Sequence, residues 1–226
     1  QKSFIIELQT DGPPQVPVMI LPEQEFKHRV LYAQLLYGAF IGIVLLMTLY
    51  NLVLYFAIKD NVYLIYIGYL LTAMLVMSSL TGFGYLIFSP SIQALINQYL
   101  LFIDYYLVIF LLTFTLLFLR YHQQAGKTYL LGKGFIAMLL ACSFYSLTLD
   151  TIAQTKLFFS LQPLVYVLAI YLIVKRLRND FSWAKFYVLS WVPLLIGAAI
   201  QPLVLLNYLE YSFITRNAFL FAVMAE

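Results

Sequence analysis

Long apolar runs separated by short polar segments dominate the sequence from residue 31 onward. About 20 helical residues, at roughly 1.5 Å rise each, cross the hydrocarbon of a bilayer. The runs that predict such spans are Leu31–Ile58, Val62–Phe88, Ile92–Leu119, Gly134–Leu149, Leu157–Val174 and Phe186–Leu206. A seventh run begins at Asn217, and we expect it to continue beyond Glu226. None of the runs alternates apolar and polar positions as the strands of a membrane barrel do, so the pattern predicts transmembrane α-helices.

Residues 1–30 follow a different pattern. Phe4–Gln9 and Val16–Leu21 are typical of short strands, and the turn-forming residues 11–14 separate them. Two strands alone are marginally stable in water. We therefore interpret them as the end of a larger β-domain that precedes this chain, joined to the helices by a polar connector, Pro22–Arg29. The expected division is a β remnant with its connector over residues 1–30 and a helical membrane domain over residues 31–226, incomplete at its C-terminus.

Composition supports a membrane protein. The chain is 63% hydrophobic and 10% charged, whereas soluble domains are nearer half apolar and a quarter charged. The lipid bilayer is the expected partner of this apolar surface. A net charge of +3 is too small to indicate nucleic-acid binding. The single cysteine, Cys142, excludes an internal disulfide and a cysteine-based metal cluster.

The distribution of Lys and Arg among the loops predicts the orientation. One set of loops, after the first, third and fifth spans, holds most of them: Lys59, Arg120, Lys127, Lys133, Lys175, Arg176, Arg178 and Lys185. The other set holds only Lys156 and Arg216. Basic loops remain in the cytoplasm. The N-terminal β remnant is therefore expected outside the cell and the C-terminus, after seven spans, inside it.

Asp104 is the sharpest candidate for a functional residue, because it lies near the middle of the third predicted span. A charge at that depth is expensive and should face other helices, find a partner or be protonated. Its role is either that of a switch or ligand anchor, or that of a structural hydrogen-bonding group. Expected partners are Asn51, Tyr50 or a tyrosine of the second span. Glu226 is a similar candidate near the end of the chain.

Small residues and prolines suggest sites of helix packing and bending. Gly38 and Gly42 form a small-xxx-small face that serves close packing inside the bundle or dimerisation, and the sequence leaves both open. Prolines interrupt helical hydrogen bonds, and the hinge candidates are Pro163, Pro193 and Pro202. No His or Cys residues stand at metal-ligand spacing, no phosphate-binding loop is present, and no cofactor or catalytic site is predicted.

Several short motifs resemble a known family. The segments Leu49–Leu52, Lys59–Asn61 and Tyr63–Tyr66 are its most specific part, and Tyr37 to Gly42, Gly82, Phe118–Leu119 and Glu226 add to it. They are similar to the transmembrane region of bacterial seven-transmembrane receptors with diverse intracellular signalling modules. The resemblance implies a periplasmic β-sandwich that binds a small molecule or carbohydrate, and location in the inner membrane. It also implies a cytoplasmic histidine kinase or diguanylate cyclase, which this chain does not contain.

The leading functional interpretation is a signal-transducing receptor module. The alternative is a small-molecule transporter or channel, against which we note a single clearly deep ionisable residue and no inverted repeat. A retinal protein would need a lysine in its last helix, and no lysine follows Lys185. The output sequence beyond Glu226 would discriminate among these classes.

Overall fold

The regular elements of the computed structural model are helices. The structure describes residues 21–123, 126–178, 188–189, 192–194, 196–197, 200, 203–204, 208–210 and 212–225. The predicted strand Phe4–Gln9 and all but the last residue of the predicted strand Val16–Leu21 lie outside these residues, as do Pro202 and Glu226. The helices are α1 (Glu23–Ile58), α2 (Asn61–Thr81), α3 (Gly84–Ile87), α4 (Pro90–Gln98), α5 (Leu100–Phe118), α6 (Lys127–Ser146), α7 (Thr151–Leu177), α8 (Phe213–Arg216) and α9 (Ala218–Ala225), with a 3₁₀ turn at Tyr121–Gln123 between α5 and α6.

Five of the described helices are long and apolar enough to cross a membrane. They are α1, α2, α5, α6 and α7. The prediction of an all-α membrane protein is confirmed at this level. The count of seven spans and the β remnant stay predictions, because the sixth predicted span is described only at scattered positions and the N-terminal segment is not described.

The first helix begins earlier than the sequence predicts. The segment predicted as a polar connector is helical from Glu23, and it forms the first turns of the 36-residue helix α1. Salt bridges join Lys27 to Glu23 at 2.6 Å and Arg29 to Glu25 at 2.8 Å, both at helical i,i+4 spacing. Such pairs and acidic residues in a first turn favour the helix. The polar residues therefore extend α1 rather than ending it.

Two predicted spans are each divided by a backbone break. Val62–Phe88 is helical as α2 only to Thr81, because Gly82 adopts a left-handed conformation with φ of 80° that ends the helix. The following residues form the short helix α3. The predicted span Ile92–Leu119 is likewise two helices, α4 and α5, which meet at Tyr99. The predicted spans Val62–Phe88 and Ile92–Leu119 are therefore longer than the helices α2 and α5.

The basic residues flanking the fourth and fifth predicted spans lie within helices. Lys127 is the first residue of α6 and Lys133 lies two turns further along. Lys175 and Arg176 belong to the last turn of α7, which begins at Thr151, ahead of its predicted start at Leu157. Long cationic side chains allow this, because their apolar stems can pack while the charge reaches the interface.

Two clusters of buried side chains hold the bundle together, and both include α5. We call one the α1–α2 cluster; its members are Tyr37, Phe40, Val44, Tyr69, Leu70, Ala73, Val76, Met77, Phe83, Leu107, Leu194, Leu220, Ala222 and Val223. The other is the α6–α7 cluster, formed by Tyr105, Val108, Ile109, Leu112, Leu116, Leu119, Tyr121, Leu139, Phe158, Val165, Leu168, Ala169, Leu172 and Ile173. Helix α5 therefore contacts both halves of the bundle.

We predict that Leu112→Ala destabilises the bundle by about 3 kcal/mol, because it leaves a cavity beside α5. Leu112 is 0% exposed, whereas Leu46 on α1 is 68% exposed and provides a matched control. Unfolding in mixed micelles with increasing denaturing detergent measures both variants. Equal stability of Leu112→Ala and Leu46→Ala would contradict the assignment of α5 to the core.

Candidate functional site

Asp104 lies near one end of α5 rather than at mid-span. Because α5 begins at Leu100, Asp104 is only about 6 Å along the axis from the first residue of the helix. The expectation of mid-span depth rested on one continuous helix from Ile92. The break at Tyr99 corrects that expectation. Asp104 still lies inside an apolar helix that is long enough to cross a membrane.

The position of Asp104 is between the two clusters. On one side its neighbours along α5 are Ile103 and Leu107, which belong to or pack against the α1–α2 cluster. On the other side are Tyr105 and Val108, members of the α6–α7 cluster. The Asp104 side chain is half-buried, and its carboxyl group forms no hydrogen bond or salt bridge with the residues described. An ionisable group thus lies at the boundary between the two halves of the bundle.

A polar side chain that interacts electrostatically with Asp104 belongs to α7. Tyr166 lies within electrostatic range of the Asp104 carboxyl group. The Gln162 side-chain amide donates a hydrogen bond of 3.0 Å to the Tyr166 hydroxyl, one helical turn away. Pro163 lies between them inside α7 and removes one backbone donor from the helix. Helix α7 therefore places a phenol that is hydrogen-bonded to an amide within electrostatic range of the acid on α5.

The expected partners from the first span do not bind Asp104. The buried amide of Asn51 donates instead to the Met47 carbonyl of its own helix at 2.8 Å, and Tyr50 is 58% exposed. Helix direction explains this result. Asn51 lies near the C-terminal end of α1, whereas Asp104 lies near the N-terminal end of α5, and both helices start from the same side of the bundle.

The remaining candidates have varied surroundings. Gly38 and Gly42 are exposed, and a Cβ on either would meet nothing within 4 Å, so these glycines make no close helix contact with the residues described. Pro193 is helical and half-buried, in a span described only in parts. Within the described residues, no group of three His, Cys, Asp or Glu side chains could hold a metal ion.

A polar network that lies where α2 ends and α5 begins was not predicted from the sequence. Asn97 Oδ1 accepts hydrogen bonds from Ser79 Oγ at 2.6 Å and from Gln93 Nε2 at 2.8 Å. Asn97 Nδ2 donates to the Tyr85 hydroxyl at 3.3 Å. The network links α2, α3 and α4. The i,i+4 spacing of Gln93 and Asn97 is the signal for this contact in the sequence, but both residues fall within the predicted span Ile92–Leu119.

Gln93 is the most constrained member of this network. It is 0% exposed, and its Oε1 atom has no hydrogen-bond partner among the residues described. The side chain packs directly on Gly84, where a Cβ would overlap Gln93 Oε1 and Cδ. Gly84 therefore leaves the space between α3 and α4 that the end of the buried Gln93 side chain occupies.

The opposite end of the bundle is closed by Tyr121. Its hydroxyl donates a hydrogen bond of 2.7 Å to the Leu172 carbonyl of α7, and the Arg176 guanidinium lies 5.5 Å from the centre of its ring. Burial raises the pKa of the Tyr121 phenol, and the positive charge of Arg176 partly opposes that effect. The residue before it, Arg120, has a φ of 55° and turns the chain sharply. These contacts fix the end of α5 against α7.

The helices and their apolar surfaces define the class of the molecule, an all-α integral membrane protein. A family model described as 7TM diverse intracellular signalling matches residues 33–226. The chain belongs to this family and is the membrane region of a transmembrane sensory receptor, which confirms the resemblance seen in the sequence. Comparisons with curated proteins and with solved structures found no match to the chain.

We predict that Gly84→Ala destabilises the protein by about 2 kcal/mol, because the added methyl group must displace buried Gln93 and break its bond to Asn97. Gly134→Ala is the control, since a Cβ there meets nothing within 4 Å. Thermal unfolding in detergent measures both. The cost of Gly84→Ala should shrink when Gln93 is already alanine. An unchanged cost in that background would show that Gln93 is not the obstacle.

Proposed function

We propose that this chain passes a signal from a ligand-binding domain before residue 21 to a cytoplasmic output domain after Glu226. The expected ligand is a small molecule or a carbohydrate, and the output is a histidine kinase or a diguanylate cyclase. Membership of the receptor family supports the general role. The observation that carries the mechanism is the position of Asp104 between the two buried clusters that share α5.

The packing suggests a route for the signal. Helix α1 follows directly from the N-terminal segment and packs against α2, and α2 packs against α5. Helix α5 in turn contacts α6 and α7. A ligand shifts an equilibrium only if it favours one of two packings. Motion of α1 and α2 relative to α6 and α7 would change the surroundings of Asp104, which gives the two packings different energies.

We further propose that Asp104 acts with Gln162 and Tyr166 as the switch between these packings. A carboxyl group in an apolar site gains strongly from a hydrogen bond and loses strongly without one. Asp104 has no such bond in the described structure, while Tyr166 lies nearby on α7. A shift of α7, with Pro163 as the point of bending, would bring the Tyr166 hydroxyl to the carboxyl group or move it away.

Asp104→Asn keeps the shape and the hydrogen-bonding capacity of the side chain but removes its ionisable proton, so we expect a folded receptor whose output is fixed on or off. Asp104→Leu removes the hydrogen-bonding capacity as well, and we expect the same loss of regulation. Asp150→Asn is the control, because Asp150 is an exposed N-cap on α7 and asparagine caps equally well. Phosphotransfer or cyclic-dinucleotide synthesis by the full-length receptor, normalised to its level in the membrane, measures the effect.

Two outcomes would reject the switch. Normal regulation in both Asp104→Asn and Asp104→Leu would remove Asp104 from the mechanism. Normal regulation in Asp104→Asn with a misfolded Asp104→Leu would assign it a purely structural role. If Asp104→Asn fixes the output on or off and Tyr166→Phe has a similar effect, the hydroxyl of Tyr166 is identified as the partner of Asp104.

The proposed orientation places the N-terminus outside the cytoplasm of a bacterial inner membrane. It is supported by the excess of Lys and Arg on one side of the bundle, where α5 ends, α6 begins and α7 ends. We predict that a cysteine at Lys127 reacts with an impermeant maleimide only after the cells are opened. A cysteine at Thr148, at the other end of α6, should react in intact cells.

Both variants are made with Cys142→Ser, which removes the single native thiol. Labelling of the Lys127 position from outside intact cells would contradict the proposed topology and support the opposite one. Labelling of both positions from one side would exclude α6 as a membrane span.

A further inference from the structure

An exposed stripe along α7 changes from apolar to cationic at its C-terminal end. Its residues follow helical spacing: Val167, Ile170, Tyr171, Val174, Lys175 and Arg178. A groove of about 640 Å³ runs along the stripe. Val167 is 65% exposed, so the apolar part of the stripe is open to the surroundings. In lipid, such a surface is covered by acyl chains.

The cationic end of the stripe is held in position. Lys175 Nζ donates hydrogen bonds to Thr128 Oγ1 on α6 and, at 3.3 Å, to the Tyr171 hydroxyl. It also lies 5.5 Å from the centre of the Tyr171 ring. Ordering a lysine normally costs side-chain entropy, and these contacts have already fixed it. A ligand bound at Lys175 would avoid much of that cost.

Lys175 and Arg178 have no carboxylate partner among the described residues, where the salt bridges join only residues of the first turns of α1. Asp180, the nearest acidic residue in the sequence, lies outside the described residues. The C-terminus of a helix carries about half a negative charge and disfavours an anion. Lys175 and Arg178 outweigh it, and Lys127 at the start of α6 adds to them.

We propose that this stripe binds a phospholipid with an anionic headgroup. The phosphate lies between Lys175 and Arg178, and one acyl chain follows Val167, Ile170 and Val174. The occupant is assigned by charge and by shape: the site joins a cationic point to an apolar track along a membrane-spanning helix. Basic groups at the ends of membrane helices attract anionic lipids with roughly 1 kcal/mol each. The proposal does not depend on the direction or nature of the signal.

The test uses the chain purified in detergent and titrated with dioleoylphosphatidylglycerol or dioleoylphosphatidylcholine, with bound lipid counted by native mass spectrometry. We expect the anionic lipid to bind more tightly. Arg178→Gln and Lys175→Gln should each weaken it about fivefold and leave binding of the zwitterionic lipid unchanged. Lys156→Gln, at the other end of the same helix, should bind both lipids as the wild type does.

Two further arms keep the result specific. Lys175→Arg keeps the charge and should retain most of the preference, which separates loss of charge from loss of folding. Glycerol 3-phosphate in millimolar excess should not displace the lipid, because it lacks the acyl chain. Equal affinity for the two lipids in the wild type, an unchanged preference in Arg178→Gln, or displacement by glycerol 3-phosphate would each overturn the proposal.

Discussion

The packing of α5 on two sides is the constraint on which the rest of the bundle depends. Lipid is as apolar as leucine, so helices in a membrane associate mainly through close van der Waals contact and buried hydrogen bonds. Leu107 packs into the α1–α2 cluster, whereas Leu112 and Leu116 pack into the α6–α7 cluster. Because both clusters use one helix of 19 residues, a displacement in either half must change the packing of the other.

The sequence predicted where most spans end but not where their backbones break. The first apolar run ends at Ile58, which is also the last residue of α1. The third run ends at Leu119, one residue after the end of α5. Hydropathy is insensitive to the left-handed conformation of Gly82 and to the change of direction at Tyr99. It also missed the helical turns before Val30, because salt bridges rather than apolar residues favour them.

The candidate site was predictable in part. A lone acid in an apolar run identified Asp104, since a charge in lipid is costly whatever the fold. Its neighbours on α7 could not be read from the sequence, because they depend on how α5 and α7 are rotated and shifted along their axes. Gln93 shows the same limit of prediction from the sequence. Its importance follows from the contact of its side-chain end with Gly84, which depends on how α3 and α4 pack.

The length of α1 has a mechanical consequence. Its 36 residues extend about 54 Å, well beyond the hydrocarbon, so the projecting turns and the membrane-embedded turns are one rod. A rod transmits rotation as well as translation. Each residue of an α-helix turns about 100° around the helix axis, so the position of Glu23 around the axis is fixed relative to the buried face of Tyr37, Phe40 and Val44. A rotation applied to the exposed first turns of α1 would therefore turn that buried face by the same angle.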